Sequence, residues 1–260
     1  MTESHVQVDI KDGGYAVVTI CREPVNSMHL ELWQQLAQSL ADLEKNPKVR
    51  GIIYQSGLKK DVFTAGNDLN ELYAPKTSAE RYKDFWVTHN TYLARLYRSP
   101  LVTIAAVRGA CPAGGCVLAL SCDYRIMTTA AQIGLNEVAL GIPVPEYWAK
   151  LMARTVGQYT AEQILEFGVM CNAEEALAHG LVGAVVSNED LLRTAEAAMV
   201  QRLKSPDSGR RPTKHYLRAE FSKLWEAYCV EEATSGWKLL SSPGMVQALE
   251  GVFLRLAKKG

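Results

Sequence analysis

Three short segments combine residue types and spacings that can do chemistry. The first, Val62-Phe63-Thr64-Ala65-Gly66-Asn67-Asp68-Leu69, runs from apolar residues into a glycine turn, with Asp68 placed to cap a short helix. Such a turn presents backbone N–H groups just ahead of a helix start, where unpaired donors attract anions. A tight turn followed by an ordinary N-cap aspartate fits the same residues. The second segment, Arg108-Gly109-Ala110-Cys111-Pro112-Ala113-Gly114-Gly115-Cys116, joins a predicted strand to an apolar helix. It aims the positive end of that helix into the interior, and Gly114 and Gly115 allow close approach of a ligand or another backbone. It lacks both G-x-G-x-x-G and G-K-[ST], so it is no nucleotide loop, and glycines for helix packing are the alternative.

The third segment, Ile133 to Pro143, holds Glu137 as a lone carboxylate among apolar residues. Desolvation raises the pKa of such a group toward the range of a general base, although a helix-start carboxylate is the plainer reading. Two N–H-presenting turns and one carboxylate in apolar surroundings are together the parts of enolate chemistry. The base takes a proton beside a carbonyl, and the donors hold the charge that develops on oxygen. Rival constellations are missing. There is no G-x-S-x-G elbow, and none of His5, His29, His89, His179 and His215 sits in an H-E-x-x-H motif or a recognisable triad. The six cysteines (Cys21, Cys111, Cys116, Cys122, Cys171, Cys229) show no C-x-x-C or zinc-finger spacing, so no metal site is expected and the thiols read as small packing residues of a reducing compartment.

The elements that must position these residues alternate between strand and helix. Val6 to Ile10 has period two, Gly13-Gly14 supplies a turn, and Ala16 to Ile20 resumes an apolar strand. Leu30, Trp33, Leu36, Ala37, Leu40 and Leu43 fall on one helical face that ends near Asn46-Pro47. Further strands are expected at Val49 to Tyr54, Leu101 to Val107, Asp123 to Met127 and Leu181 to Val186. Helices are expected at Ser78 to Tyr97, Pro145 to Val156, Thr160 to Glu166 and Ala173 to His179. The run after Gly114 is apolar on every side, which marks a buried helix. Nearly everything beyond Asn188 reads as helical. This is an α/β pattern. Ser205-Pro206-Asp207-Ser208-Gly209 is the best boundary, dividing a core domain (1–204) from a C-terminal helical region (205–260) that packs on the body or on another subunit.

Composition excludes several classes. The chain has 260 residues, 48% hydrophobic and 22% charged, enough to bury a core without disulfides or metal. Its 28 basic and 28 acidic residues cancel, which argues against nucleic-acid binding through bulk charge. The longest apolar stretch, Leu101 to Leu120, is broken by Arg108, Gly109, Pro112, Gly114 and Gly115, too interrupted for a membrane span. The N-terminal residues show no presequence character, and the C-terminal Ala-Lys-Lys-Gly is not a peroxisomal S-K-L.

Pro24-Val25-Asn26-Ser27-Met28, Val62 to Leu69, Gly109 to Cys116 and Gly134-Leu135-Asn136-Glu137 resemble the crotonase (enoyl-CoA hydratase/isomerase) superfamily, and within it the mitochondrial Δ3,Δ2-enoyl-CoA isomerases. The resemblance implies a ClpP-like spiral of ββα units with a helical C-terminal part involved in trimerisation. It implies an oxyanion hole from the backbone N–H groups of Asn67 and Gly114, with Glu137 as the catalytic carboxylate. Hydratases of the superfamily carry a second glutamate at the position of Val117, so its absence favours isomerisation of a fatty enoyl-CoA. Hydration, thioester hydrolysis and a non-catalytic RNA-binding role are the alternatives. No separate cofactor is implied, because coenzyme A is part of the substrate. It would pass Val25, Asn26, Met28, Ala65 and Asn67, with phosphates near Lys59 or Lys60, Lys258 and Lys259. The implied compartment is the mitochondrial matrix, with a peroxisome-like organelle as the alternative. Pro143 and Glu146 depart from the family pattern, so the acyl pocket is expected to differ.

Overall fold

The computed structural model of the protein describes residues 3–257. Strand β1 (Val6–Lys11) pairs antiparallel with β2 (Tyr15–Ile20) across a turn in which Gly14 takes a φ of 78°. Helix α1 (Leu30–Lys45) follows, and β3 (Gly51–Ser56) joins β2 in parallel. After α2 (Ala79–Arg98) come β4 (Val102–Val107), the short β5 (Ala110–Pro112) and α3 (Gly114–Ser121), then β6 (Tyr124–Thr128), the short β7 (Gln132–Gly134) and α4 (Glu146–Val156). Helices α5 (Gln158–Leu165) and α6 (Ala173–Ala178) lead to β8 (Ala184–Val186), and α7 (Leu191–Leu203), α8 (Asp207–Leu240) and α9 (Pro243–Ala257) complete the described chain. The main sheet has the order β1-β2-β3-β4-β6-β8 and is parallel after its first pair.

Alternate residues of the central strands feed two apolar layers, as the period-two pleat requires. Val18, Ile52, Tyr54, Ala105 and Val107 face the larger core with α1, α2 and α3, while Val17, Ile53, Ile104 and Ala106 meet Leu191, Ala195 and Met199 of α7. All eight residues of α3 are buried, which matches its apolar perimeter. The edge strand β1 departs from its alternating pattern, for Val6 packs partly on the core while Val8 and Ile10, on the same face, are exposed.

The chain repeats a strand–strand–helix step in β1-β2-α1, β4-β5-α3 and β6-β7-α4. The step from β3 to α2 has a single bridge, Val62 to Ala110, in place of its second strand. Val62, β5, β7 and Cys171 thus line up as a narrow second ladder beside the main sheet. Neither β5 nor β7 was expected, because three residues are too few to display a period. The expected break at Ser205–Gly209 is also shorter than its composition suggests. Asp207, Ser208 and Gly209 are already helical, and Arg50 fixes that start by donating to both Asp207 carboxylate oxygens, at 3.1 and 3.0 Å, and to Leu203 O at 2.9 Å. Phe221, Trp225, Cys229, Ala233 and Leu240 of α8 join the same buried cluster as α2, so the tail packs on the body.

One buried amide ties three helices together. Asn90 Oδ1 on α2 accepts from Trp148 Nε1 of α4 at 2.9 Å and from Trp225 Nε1 of α8 at 3.0 Å, while its Nδ2 donates to Trp86 O at 3.0 Å. Replacing Asn90 by leucine would leave two buried indole donors without acceptors, at roughly 1–3 kcal/mol each. Asn90→Leu is therefore expected to lower unfolding stability by about 2–5 kcal/mol, read from urea denaturation, and a change below about 1 kcal/mol would show the network to be dispensable.

Candidate active site

The turn from Thr64 to Asp68 is clamped until one amide is left over. Ala65 N donates to Val25 O at 2.9 Å, Gly66 N to Thr64 Oγ1 at 2.9 Å, and Asp68 N to Met28 O at 3.0 Å. Met28 N donates to Gly66 O at 2.8 Å, and Thr64 Oγ1 donates to Asn26 O at 2.7 Å. The Asn67 N–H has no acceptor among the described residues. Asp68 caps the short 3-10 helix Leu69–Glu71 by accepting from Asn70 N at 3.0 Å, as its position implied.

A second free amide stands beside it. Ala113 holds a φ of 49° with ψ −122°, a conformation that costs a residue with a Cβ on the order of 1–3 kcal/mol. Its own N–H is fixed to Gly134 O at 2.9 Å, and the peptide that follows presents Gly114 N–H, which finds no protein acceptor among the described residues. The two turns touch. A Cβ on Gly66, whose φ is +84°, would lie 3.1 Å from Pro112 O and 3.5 Å from Gly114 N. Glycine at 114 is required by the same crowding, because a Cβ there would stand 2.8 Å from Asn67 Oδ1. Trp33 Nε1 donates to that oxygen at 3.1 Å, which parks the Asn67 side chain and leaves its backbone amide free.

Glu137 opens the 3-10 helix Glu137–Leu140, which Gly141 ends at φ 76°. The residue is 7% exposed, and neither carboxylate oxygen has a hydrogen-bond partner. Burial pushes its carboxyl from the ordinary 4.5 up to about 7. Its own backbone amide pulls weakly the other way without reaching hydrogen-bond geometry. Val117, where the family resemblance implies a second glutamate in hydratases, is apolar and fully buried in α3.

Asn67, Ala65, Ala113 and Glu137 all line a cavity of about 860 Å³. Val25 and Ser27 line it too, and Leu140, Ile142, Val144, Leu239, Leu240, Val252 and Phe253 supply much of its apolar lining. The structure therefore brings Val25, Ala65, Asn67 and Glu137 together, with Gly114 against Asn67. Asn26 and Met28 lie elsewhere. Both are fully buried, and the Asn26 amide donates to Ile20 O, Ser56 Oγ and Phe63 O at 3.0–3.1 Å. They shape the turn from behind and line no part of the cavity. Lys59 and Lys60 are exposed on the loop before Val62 and also do not line it. Lys258 and Lys259 lie outside the described residues. The motifs gave no sign of Trp33, the strained Ala113, or the walls from α2, α4, α8 and α9.

This geometry coincides with known proteins. The profile of the enoyl-CoA hydratase/isomerase family matches residues 11–240. The chain belongs to that family. It is 40% identical over 207 residues to the human mitochondrial enoyl-CoA delta isomerase 1, covering 79% of this chain and 68% of the relative. It is 33% identical over 187 residues to a short-chain-enoyl-CoA hydratase of Clostridium acetobutylicum, covering 72% and 70%. The crystal structure of human mitochondrial Δ3-Δ2-enoyl-CoA isomerase superposes with a TM-score of 0.94 at 34% identity over 98% of this chain and 99% of that one. The crotonase spiral with its helical C-terminal region is the fold. Among the described residues no helix is long and apolar enough to cross a membrane.

The buried carboxyl has a thermodynamic signature. Unfolded, Glu137 titrates at its ordinary 4.5; folded, near 7. Between those values the folded state keeps a proton that the unfolded state has lost, so stability falls as pH rises through the window. The rise corresponds to about 3 kcal/mol. Glu137→Gln is expected to unfold at higher denaturant than wild type at about pH 8, with the difference fading toward pH 4.5, and equal stabilities at both ends would refute the burial argument.

Proposed function

We propose that the protein is a Δ3,Δ2-enoyl-CoA isomerase that moves the double bond of a fatty 3-enoyl-CoA to the trans-2 position. The observation that carries this reading is Glu137, a buried carboxyl without a hydrogen-bond partner in the cavity that Asn67 also lines, with the apolar Val117 at the position where hydratases of the family carry a second glutamate. Glu137 removes a proton from C2 of the 3-enoyl thioester, and the electron pair delocalises through C3=C4 and the carbonyl as a dienolate. The amides of Asn67 and Gly114 donate to the thioester oxygen, where the charge collects. Glu137 then returns its proton to C4, leaving the C2=C3 bond, and carboxylate and amides end as they began.

Coenzyme A enters as part of the substrate, its pantetheine passing Val25 and Ala65, with Lys59 and Lys60 near enough in the chain to meet phosphates. Hydration is the competing reading supported by the hydratase relative. It requires groups to deliver both the proton and the hydroxide of water, and Val117 stands at the position where hydratases of the family carry their second glutamate. The mitochondrial relatives support a mitochondrial location, in the matrix on this reading, and a trimer would cover Tyr216, Leu217 and Leu224, exposed apolar residues on α8.

Conversion of 3-enoyl-CoA to trans-2-enoyl-CoA, measured beside hydration of 2-enoyl-CoA, tests the proposal. Glu137→Gln should lower isomerisation by about 10²–10⁴-fold. Because the carboxylate is the base, kcat/KM for wild type should climb as pH passes about 7. A Gln variant within tenfold of wild type, or hydration that outruns isomerisation, would sink the assignment.

A further inference from the structure

The cavity carries a second buried carboxyl that the proton shuttle leaves unused. Glu232, on α8, is 8% exposed and lines the same cavity as Glu137. Its Oε2 accepts from Trp86 Nε1 at 3.1 Å and its Oε1 from the Glu146 amide at 3.0 Å. That amide is the first of α4, whose N-cap Pro145 offers no side-chain acceptor, so Glu232 also faces the positive end of a helix. Glu137 opens the 3-10 helix that precedes α4, whereas Glu232 stands on α8 beside the first turn of α4, so the two carboxyls belong to different elements of the lining.

Polar groups gather around Glu232 within an otherwise apolar lining. Tyr228 and Ser235 share its face of α8, and both line the cavity. Tyr82 lines it too, stacks on Trp86 with ring centroids 5.6 Å apart, and packs its hydroxyl against Gly236, which has no side chain to block it. A carboxylate can accept about four hydrogen bonds, and two are taken, so acceptor capacity is left on the cavity side. A plain alkyl chain lying there would strip water from that carboxylate and return no donor.

We propose that Glu232 sets the substrate class: the site favours acyl thioesters whose chain carries a hydroxyl in its distal part, donated to Glu232, over chains that end in plain alkyl. This rests on the acyl-CoA reading of the cavity given above. A hydroxyl replaces the lost water, whereas a distal carboxylate adds a like charge to a partly desolvated one. Pro143 and Glu146, the two departures from the family pattern in this segment, line the same cavity.

Binding of unreactive saturated acyl-CoAs tests the idea apart from turnover. Octanoyl-, decanoyl- and dodecanoyl-CoA are compared by calorimetry with their ω-hydroxy and ω-carboxy counterparts. At one or more of these lengths wild type should bind the hydroxy ligand at least about tenfold more tightly than the methyl-ended one. The carboxy ligand should bind most weakly at about pH 8. Glu232→Met should abolish the hydroxyl advantage and tighten binding of the methyl-ended chains. Should that variant fail to fold, Glu232→Gln keeps an acceptor and should lose only the discrimination against the carboxy ligand. Absence of a hydroxyl advantage at every length in wild type overturns the proposal by itself. If the ranking holds but 3-enoyl-CoA is not isomerised, the reaction assignment fails and this one stands.

Discussion

Two backbone amides, of Asn67 and the adjacent Gly114, and the Glu137 carboxyl have no protein partners among the described residues, and leaving each unmade costs roughly 1–3 kcal/mol in a buried setting. A chain free to relax would turn Asn67 or Gly114 toward the nearest carbonyl. It is prevented from doing so because the surrounding turn is clamped by its own hydrogen bonds. Met28 uses both its N–H and its carbonyl on the turn, at 2.8 Å to Gly66 O and 3.0 Å from Asp68 N, and Thr64 bonds at once to Asn26 O and Gly66 N. Asn26, at a φ of 52°, anchors that clamp with three donations into the surrounding backbone and Ser56. The open amides are thus the residue of an over-determined local network, held against their own preference.

The narrow ladder of short strands extends this constraint to the base. Ala113 N donates to Gly134 O, so the amide-bearing loop is fixed to β7, and Glu137 follows three residues later. Cys171 pairs in both directions with Ile133, and a Cβ on Gly134 would come within 2.4 Å of Val169 O. The floor beneath Glu137 is therefore as crowded as the turn beneath Asn67. Neither site loop is held mainly by its own sequence. Each is held by the next step of the spiral, which is why a repeated strand–strand–helix architecture can place groups from three separate segments on one wall.

The three site segments were legible in the sequence because each joins a chemical group to a backbone device: glycine at a turn, a helix start after a strand, a carboxylate in an apolar run. Long helices and central strands were legible through periodicity, with boundaries within a few residues. What escaped has identifiable causes. Strands β5 and β7 are too short to show a period, and the positive φ of Ala113 is imposed by neighbours, since alanine carries no signal for it. Asn26 and Met28 sit in a phrase that resembles a ligand contact, yet tertiary packing turns both inward to support the turn. Glu232 follows Glu231 in a charge-rich helix and reads as solvated surface. Only the approach of Trp86 and of the α4 terminus makes it interior.

The apolar side chain of Val117 bears on more than the missing second acid. A proton shuttle must accept a proton in one half of its cycle and release it in the next, so its affinity for that proton is best set near the working pH. Solvent exposure would leave Glu137 near 4.5, a weak base; a hydrogen-bond donor would lower it further. A nearby second carboxylate would raise it by like-charge repulsion, but would also couple the two titrations and divide the proton between them. Burial among apolar groups raises it to about 7 without a competitor for the proton. A valine at position 117 adds no such competitor, in keeping with the single-base reading proposed above.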